Sequence, residues 1–375
     1  MPQTLFTLMI GMQRAPWLDW LRFMAAFMVM ACHARGSNWV AWSQLSTPDQ
    51  NWLTKVFFSL TRAGMEWVVV FFVLSGFLVG GGVIRKTREG RFDLPQFALD
   101  RATRIWVPLL PALLFSAAVA TACGLTATCA EFAGNMLGLQ GVAVANFAHN
   151  EPLWSLSYEI WFYVGAGALA AIFSRRASVR LAAIMALFAT AYIFTKLSPW
   201  FLVCWTIGAL SIFAGRWPSP KVIAPTALCM ALVGAALSQL QSGTNVEGIG
   251  GLSAALPSRE LALVVESLGI GLLVSALVRL PPSGQVMISL EAAGPRLAAF
   301  SYTLYLVHYP VLGLWEHFGP AKHAGVDFRS FFCYAAEIAS CFAVSLVLYF
   351  LFESRTAAVR QWLRQLARRI AGTPD

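Results

Sequence analysis

Arg22 and His33 lie in one apolar stretch of this 375-residue sequence, Trp17-Leu-Asp-Trp-Leu-Arg22 followed by ten residues and then His33. On a helix such a separation is three turns plus about 20°, so the two side chains share a face and stand about 16 Å apart along the axis. A guanidinium at one end holds an anion, and an imidazole at the other serves as base or nucleophile. The stripe suits a long ligand threaded between them. A plainer reading also fits: Arg22 snorkels to the membrane interface and His33 hydrogen-bonds a neighbouring helix.

Glu159 lies about two turns into a second apolar stretch, Pro152-Leu-Trp154-Ser155-Leu-Ser-Tyr-Glu159. A carboxylate at the depth of an imidazole fixes its tautomer and raises its basicity, so Glu159 is expected to orient His33. In Asp100-Arg101-Ala-Thr-Arg104 the two arginines are three residues apart and face the same way. Paired guanidiniums grip phosphate bidentately; simple anchoring at the membrane surface is the competing explanation. In Ser301–Pro310, Tyr305 and His308 share a face, and a structural hydrogen bond is the expectation for His308.

The elements that must position these groups follow from composition. The chain is 58% hydrophobic and 12% charged, with a mean hydropathy of +0.65. Soluble domains carry about 25% charged residues, so this chain lacks half of a normal solvated surface. The expected fold is all-α, a polytopic transmembrane bundle with residues 1–354 forming one embedded domain. Ten spans are drawn, at 16–35, 66–84, 105–123, 153–173, 181–195, 197–215, 222–240, 261–278, 297–316 and 331–352. Pro199 marks a tight turn between the fifth and sixth, and 132–148 reads as a loop or re-entrant segment. The N-terminus lacks a signal-peptide layout, so the first span is expected to stay.

The net charge of +9 does not point to nucleic acid, because the basic residues form short clusters between apolar spans. With both termini cytoplasmic, twenty of the 27 Lys and Arg residues, Arg14 and Arg296 among them, fall inside and seven outside, the seven including Arg35 and Arg62. That asymmetry favours an even number of spans. Residues 355–375 place Val359, Trp362, Leu363, Leu366 and Ile370 at helical spacing, with arginines largely on other faces. This is a basic amphipathic tail suited to an anionic cytoplasmic leaflet, so membrane lipid is an expected partner. The seven cysteines have no metal-binding spacing, and no metal is expected; a disulfide between Cys123 and Cys129 is left open. Gly76 and Gly80 form a small-residue face for close helix packing.

Taken in order, Leu18-Asp19…Arg22-x10-His33, Phe71–Phe77, Arg101-x-x-Arg104, Trp154-Ser155-Leu156…Glu159, Ser301–Pro310 and Phe352-Glu353 resemble the acyltransferase 3 family of integral membrane acyltransferases. The resemblance runs across nearly the whole chain. It departs at Glu66, where three extra valines separate the acidic residue from Phe71, and at Ser354, where the family commonly has Pro. It implies O-acyl transfer from acyl-CoA, with acetyl-CoA the default donor and no permanently bound cofactor. The implied acceptor is a carbohydrate or lipid-linked hydroxyl, and the implied location a bacterial inner membrane. Arg22, His33 and Glu159 are the expected catalytic residues, and Arg101, Arg104 and Arg22 the expected donor-binding ones. Trp154, Ser155, Tyr305 and His308 are further candidates. A secondary transporter is the alternative, although it would usually show an internal repeat, and no second Arg-x10-His is present.

Overall fold

The structure, a computed structural model, describes residues 16–216, 219–243, 257–280 and 285–370. Arg14 and the last five residues of the tail lie outside the described residues. The described chain is helical, with two isolated bridges, Trp39 to His323 and Gln140 to Val144, as its β-type pairings. In chain order the helices are α1 (Pro16–Asn38), α2 (Trp52–Thr61), α3 (Gly64–Ser75), α4 (Gly81–Arg88), α5 (Leu94–Ala122), α6 (Cys129–Met136), α7 (Trp154–Ala171) and α8 (Ala177–Lys196). They continue with α9 (Pro199–Leu210), α10 (Pro220–Gly243), α11 (Arg259–Leu277), α12 (Gln285–Ala299), α13 (Ser301–Phe318), α14 (Phe328–Leu351) and α15 (Thr356–Ile370).

Local chemistry sets several boundaries. Asn51 caps α2 by accepting from the amides of Leu53 and Thr54, while the Thr54 hydroxyl accepts from the Asn51 amide. Asp93 caps α5, whose first turn carries Pro95. Thr128 and Glu131 form the reciprocal capping box of α6. Pro199 opens α9 directly after Ser198, the tight turn expected between α8 and α9.

All ten expected spans contain helix. Among the described residues, six helical stretches can cross a membrane by length and composition, or seven if α12 and α13, bent by 46° at their junction, count as one. The helices α1 and α7 are absent from that set. Polar residues, Asp19, Arg22 and His33 in one and Ser155, Ser157 and Glu159 in the other, dilute their apolarity. Helix α2 lies between the first and second drawn spans, and Arg296, just before the ninth, sits in the last turn of α12. Cys123 and Cys129 are both free thiols.

The chain forms two compact units. The first comprises Met1–Arg85, Leu197–Ser301 and Pro320–Ile338. Its tightest crossing is α9 against the end of α3 and the π-helical turn Gly76–Gly80 that follows. A Cβ on Gly76 would sit 2.0 Å from the Trp205 carbonyl oxygen, and one on Gly208 2.2 Å from that of Val73. Backbone touches backbone there, as the small-residue face requires. Trp205 Nε1 closes the crossing by donating to Ser75 Oγ at 3.2 Å. The second unit comprises Lys86–Lys196, Tyr302–Gly319 and Ala339–Asp375. There α7 packs on α5 and α8, and α15 packs on α5. The segment after α6 is fastened to α7: Ser157 Oγ and Trp161 Nε1 both donate to the Gly138 carbonyl, and Gln140 Nε2 donates to that of Leu153.

Candidate active site

The second unit holds a cluster built on one turn of α5. Arg104 Nη1 donates to Glu353 Oε1 at 2.6 Å. The other carboxylate oxygen of Glu353 accepts from the Thr303 hydroxyl at 2.5 Å and from its amide at 3.1 Å. Thr303 is the third residue of α13, so its amide is one that the helix itself cannot satisfy, and Glu353 caps that helix end with negative charge. The Arg104 guanidinium also lies 5.3 Å from the ring centre of Tyr302.

One turn away, the Arg101 guanidinium lies over the ring of Tyr163 at 5.6 Å, and the Tyr163 hydroxyl donates to Glu159 Oε1. Arg101, Tyr163 and Glu159 therefore form a continuous chain from α5 to α7. The paired arginines share a neighbourhood with two carboxylates and two tyrosines. Cation–π contact and the ion pair hold each guanidinium in a set plane, the property that makes arginine a phosphate ligand.

The other candidates of this unit are structural in their contacts. Ser155 Oγ and Tyr305 Oη meet at 2.7 Å, and each lies 3.1 Å from the Pro152 carbonyl, tying the start of α7 to α13. Trp154 packs edge-on against Tyr158. His308 is fully buried; its Nδ1 meets the Leu304 carbonyl at 3.1 Å, the structural hydrogen bond expected of it.

In the first unit, Arg22 and His33 lie on the uninterrupted helix α1, so their shared face stands. Arg22 pairs with Asp19 at 3.6 Å, each side chain 30% exposed, a pair worth ~1 kcal/mol or less. The His33 end of α1 is pinned by Tyr334 Oη donating to the Ala31 carbonyl and by Asn38 Nδ2 donating to that of Ser330. Arg35, at the end of the first drawn span, lies within α1 and 5.1 Å from the Phe58 ring centre. Arg62 grips Gln239 through both Nε and Nη2. Glu66 is buried and accepts from Ser238 Oγ and Gln239 Nε2, each at 2.6 Å, locking α3 to α10.

Sequence reasoning missed three of these partners. Tyr163 was legible, since it stands four residues after Glu159 on the same helix face. Tyr302 lies within the motif Ser301–Pro310 without being singled out. Glu353 was noted as part of a motif, yet its partner lies 249 residues away.

Apolar helices, small-residue crossings and a partly buried arginine–carboxylate cluster define an integral membrane protein that places charged chemistry among its helices. The chain belongs to the acyltransferase 3 family: the acyltransferase domain of that family matches residues 15–354. Over 148 residues the chain is 28% identical to the O-acetyltransferase PaAT-1 of Phomopsis amygdali, a stretch equal to 37% of this chain and 28% of that protein. The chain thus matches little more than a quarter of that relative's length. No solved structure matches it.

Proposed function

We propose that the protein moves an acyl group, acetyl in the first instance, from cytosolic acyl-CoA to a hydroxyl of a carbohydrate or lipid-linked acceptor. The observation that carries this reading is the Arg22–His33 stripe on an unbroken helix, in a chain of the acyltransferase 3 family. Arg101 and Arg104 hold donor phosphates, and Arg22 contributes to the polar arm of the coenzyme. His33 takes the proton of the acceptor hydroxyl as its oxygen attacks the thioester carbon; the C–S bond breaks and the proton ends on the coenzyme thiol. The alternative sequence has His33 attack first and carry the acyl group to the acceptor. Tyr163 holds the Glu159 carboxylate in place. The O-acetyltransferase likeness supports a hydroxyl acceptor.

Acyl-CoA binding to purified protein in nanodiscs tests the donor site. Arg101→Lys keeps the charge but loses the planar fork and should weaken apparent affinity by about 10- to 150-fold, the equivalent of a charged hydrogen bond of about 1.5–3 kcal/mol. Arg101 is the cleaner probe, because Arg104 also holds Glu353. Unchanged affinity would remove Arg101 from the donor site.

The same reading puts ten spans in a bacterial inner membrane with both termini cytoplasmic, supported by the charge asymmetry. Reporter fusions at Glu89 and Asp375 should both report the cytoplasm, and one at Gly243 the far side. Disagreement between the first two would overturn the even span count.

A further inference from the structure

The tail helix α15 does more than rest on a membrane. Arg364 Nη2 and Arg360 Nε reach the same oxygen of Asp100, at 2.9 and 3.3 Å, and Arg360 also donates to Thr103 Oγ1 at 3.1 Å. These bonds stand α15 off from α5 and leave an apolar groove of about 380 Å³ between them. Its walls are Trp106, Val107, Leu110 and Leu114 of α5 facing Val359 and Leu363 of α15. The indole N–H of Trp106 is spent on the Met136 carbonyl, so that ring offers the groove only carbon. Along α5 the groove runs from Ala102 to Leu114, about 18 Å, close to the ~15 Å hydrocarbon depth of one leaflet.

The two ends differ in charge. Two guanidiniums share one carboxylate at the Asp100 end, and Arg368 and Arg369 follow within the next turns. The far end, at Leu114, is apolar. The outer surface of α15 carries Trp362, 60% exposed, and Ile370, 79% exposed, as a helix lying in the membrane interface would. Excess positive charge at one end, a dry slot of leaflet depth at the other and an interfacial helix roofing both match the layout of a phospholipid.

We propose that this groove is a binding site for one anionic phospholipid, with an acyl tail between α5 and α15 and its phosphate at Arg360 and Arg364. Asp100 and Thr103 lie on the same turn of α5 as Arg101 and Arg104, so the lipid would steady the turn that carries them. The site does not depend on which acyl group or acceptor the enzyme uses.

The test is lipid retention, by native mass spectrometry, of the full chain released from nanodiscs of mixed phosphatidylcholine and phosphatidylglycerol. The wild type should retain phosphatidylglycerol over phosphatidylcholine by about tenfold, which is ~1.4 kcal/mol. Leu110→Trp, at a 43%-exposed wall position, fills the slot and should abolish retention of either lipid. Leu363→Trp does so from the α15 side, should the first variant not fold. The pair Arg360→Gln and Arg364→Gln should erase the headgroup preference while the tail still binds. Asp100→Asn frees both arginines and should raise the preference, a gain that mere damage would not give. Equal retention of the two lipids by the wild type, undiminished retention in both tryptophan variants, or occupation by free fatty acid instead would overturn the proposal.

Discussion

His33→Ala is expected to lower acyl transfer by a factor of about 10²–10⁴, the contribution of a positioned general base, while leaving membrane insertion and yield near wild type. The separation of those effects follows from the structure. The end of α1 that carries His33 is pinned by its neighbours: Tyr334 binds the Ala31 carbonyl, Asn38 binds that of Ser330, and Trp39 is buried among Phe57, Phe58, Phe331 and Tyr334. Those contacts survive loss of the imidazole. The assay is transfer from radiolabelled acyl-CoA by purified protein in nanodiscs, with melting followed in parallel. A variant that keeps more than about a tenth of the activity would remove His33 from the mechanism, since even the low end of general-base catalysis exceeds that.

The second large effect concerns Glu353. Glu353→Ala strips the carboxylate from Arg104 and uncaps α13 at Thr303. Removing one member of a fully buried ion pair costs about 3–5 kcal/mol. The Arg104 side chain keeps 34% exposure, which lets water compensate in part, so about 2–4 kcal/mol is expected here. Thermal melting of the variant in nanodiscs should show a clear fall, and an unchanged melting temperature would mean that the pair holds nothing together. Adding Arg104→Met to Glu353→Ala removes the stranded cation and should recover much of that loss. If Arg104 also holds donor phosphate, acyl-CoA affinity stays weak in the recovered double variant. Stability and binding then come apart, and a purely architectural Arg104 would not give that result.

What could be read from sequence was what is local. The Arg22–His33 face, the turn at Pro199, the Gly76–Gly80 crossing and the amphipathic period of α15 each rest on spacings of a dozen residues or fewer. Each reappears in the structure as expected. Distance along the chain hid the rest. Nothing near Arg104 announces Glu353, and nothing near Glu66 announces Ser238 and Gln239, because those pairings form only once distant helices pack. Helix α12 was concealed differently: Gly294-Pro295 reads locally as a break, yet the proline is accommodated inside a helix that packs on α1. The tail was legible as an amphipathic helix but not as a partner of Asp100, since charge patterning alone cannot say which acid an arginine will find.

The bond between Glu353 and Thr303 also sets a timetable for synthesis. The cap of α13 is encoded 50 residues downstream of the amide it satisfies. At roughly 5–20 residues per second, a ribosome needs about 3–10 s to make it. Throughout that interval the first turn of α13 lacks its anionic cap, and Arg104, made far earlier, waits without its counter-ion. Assembly of this cluster is therefore gated by translation as far as Glu353.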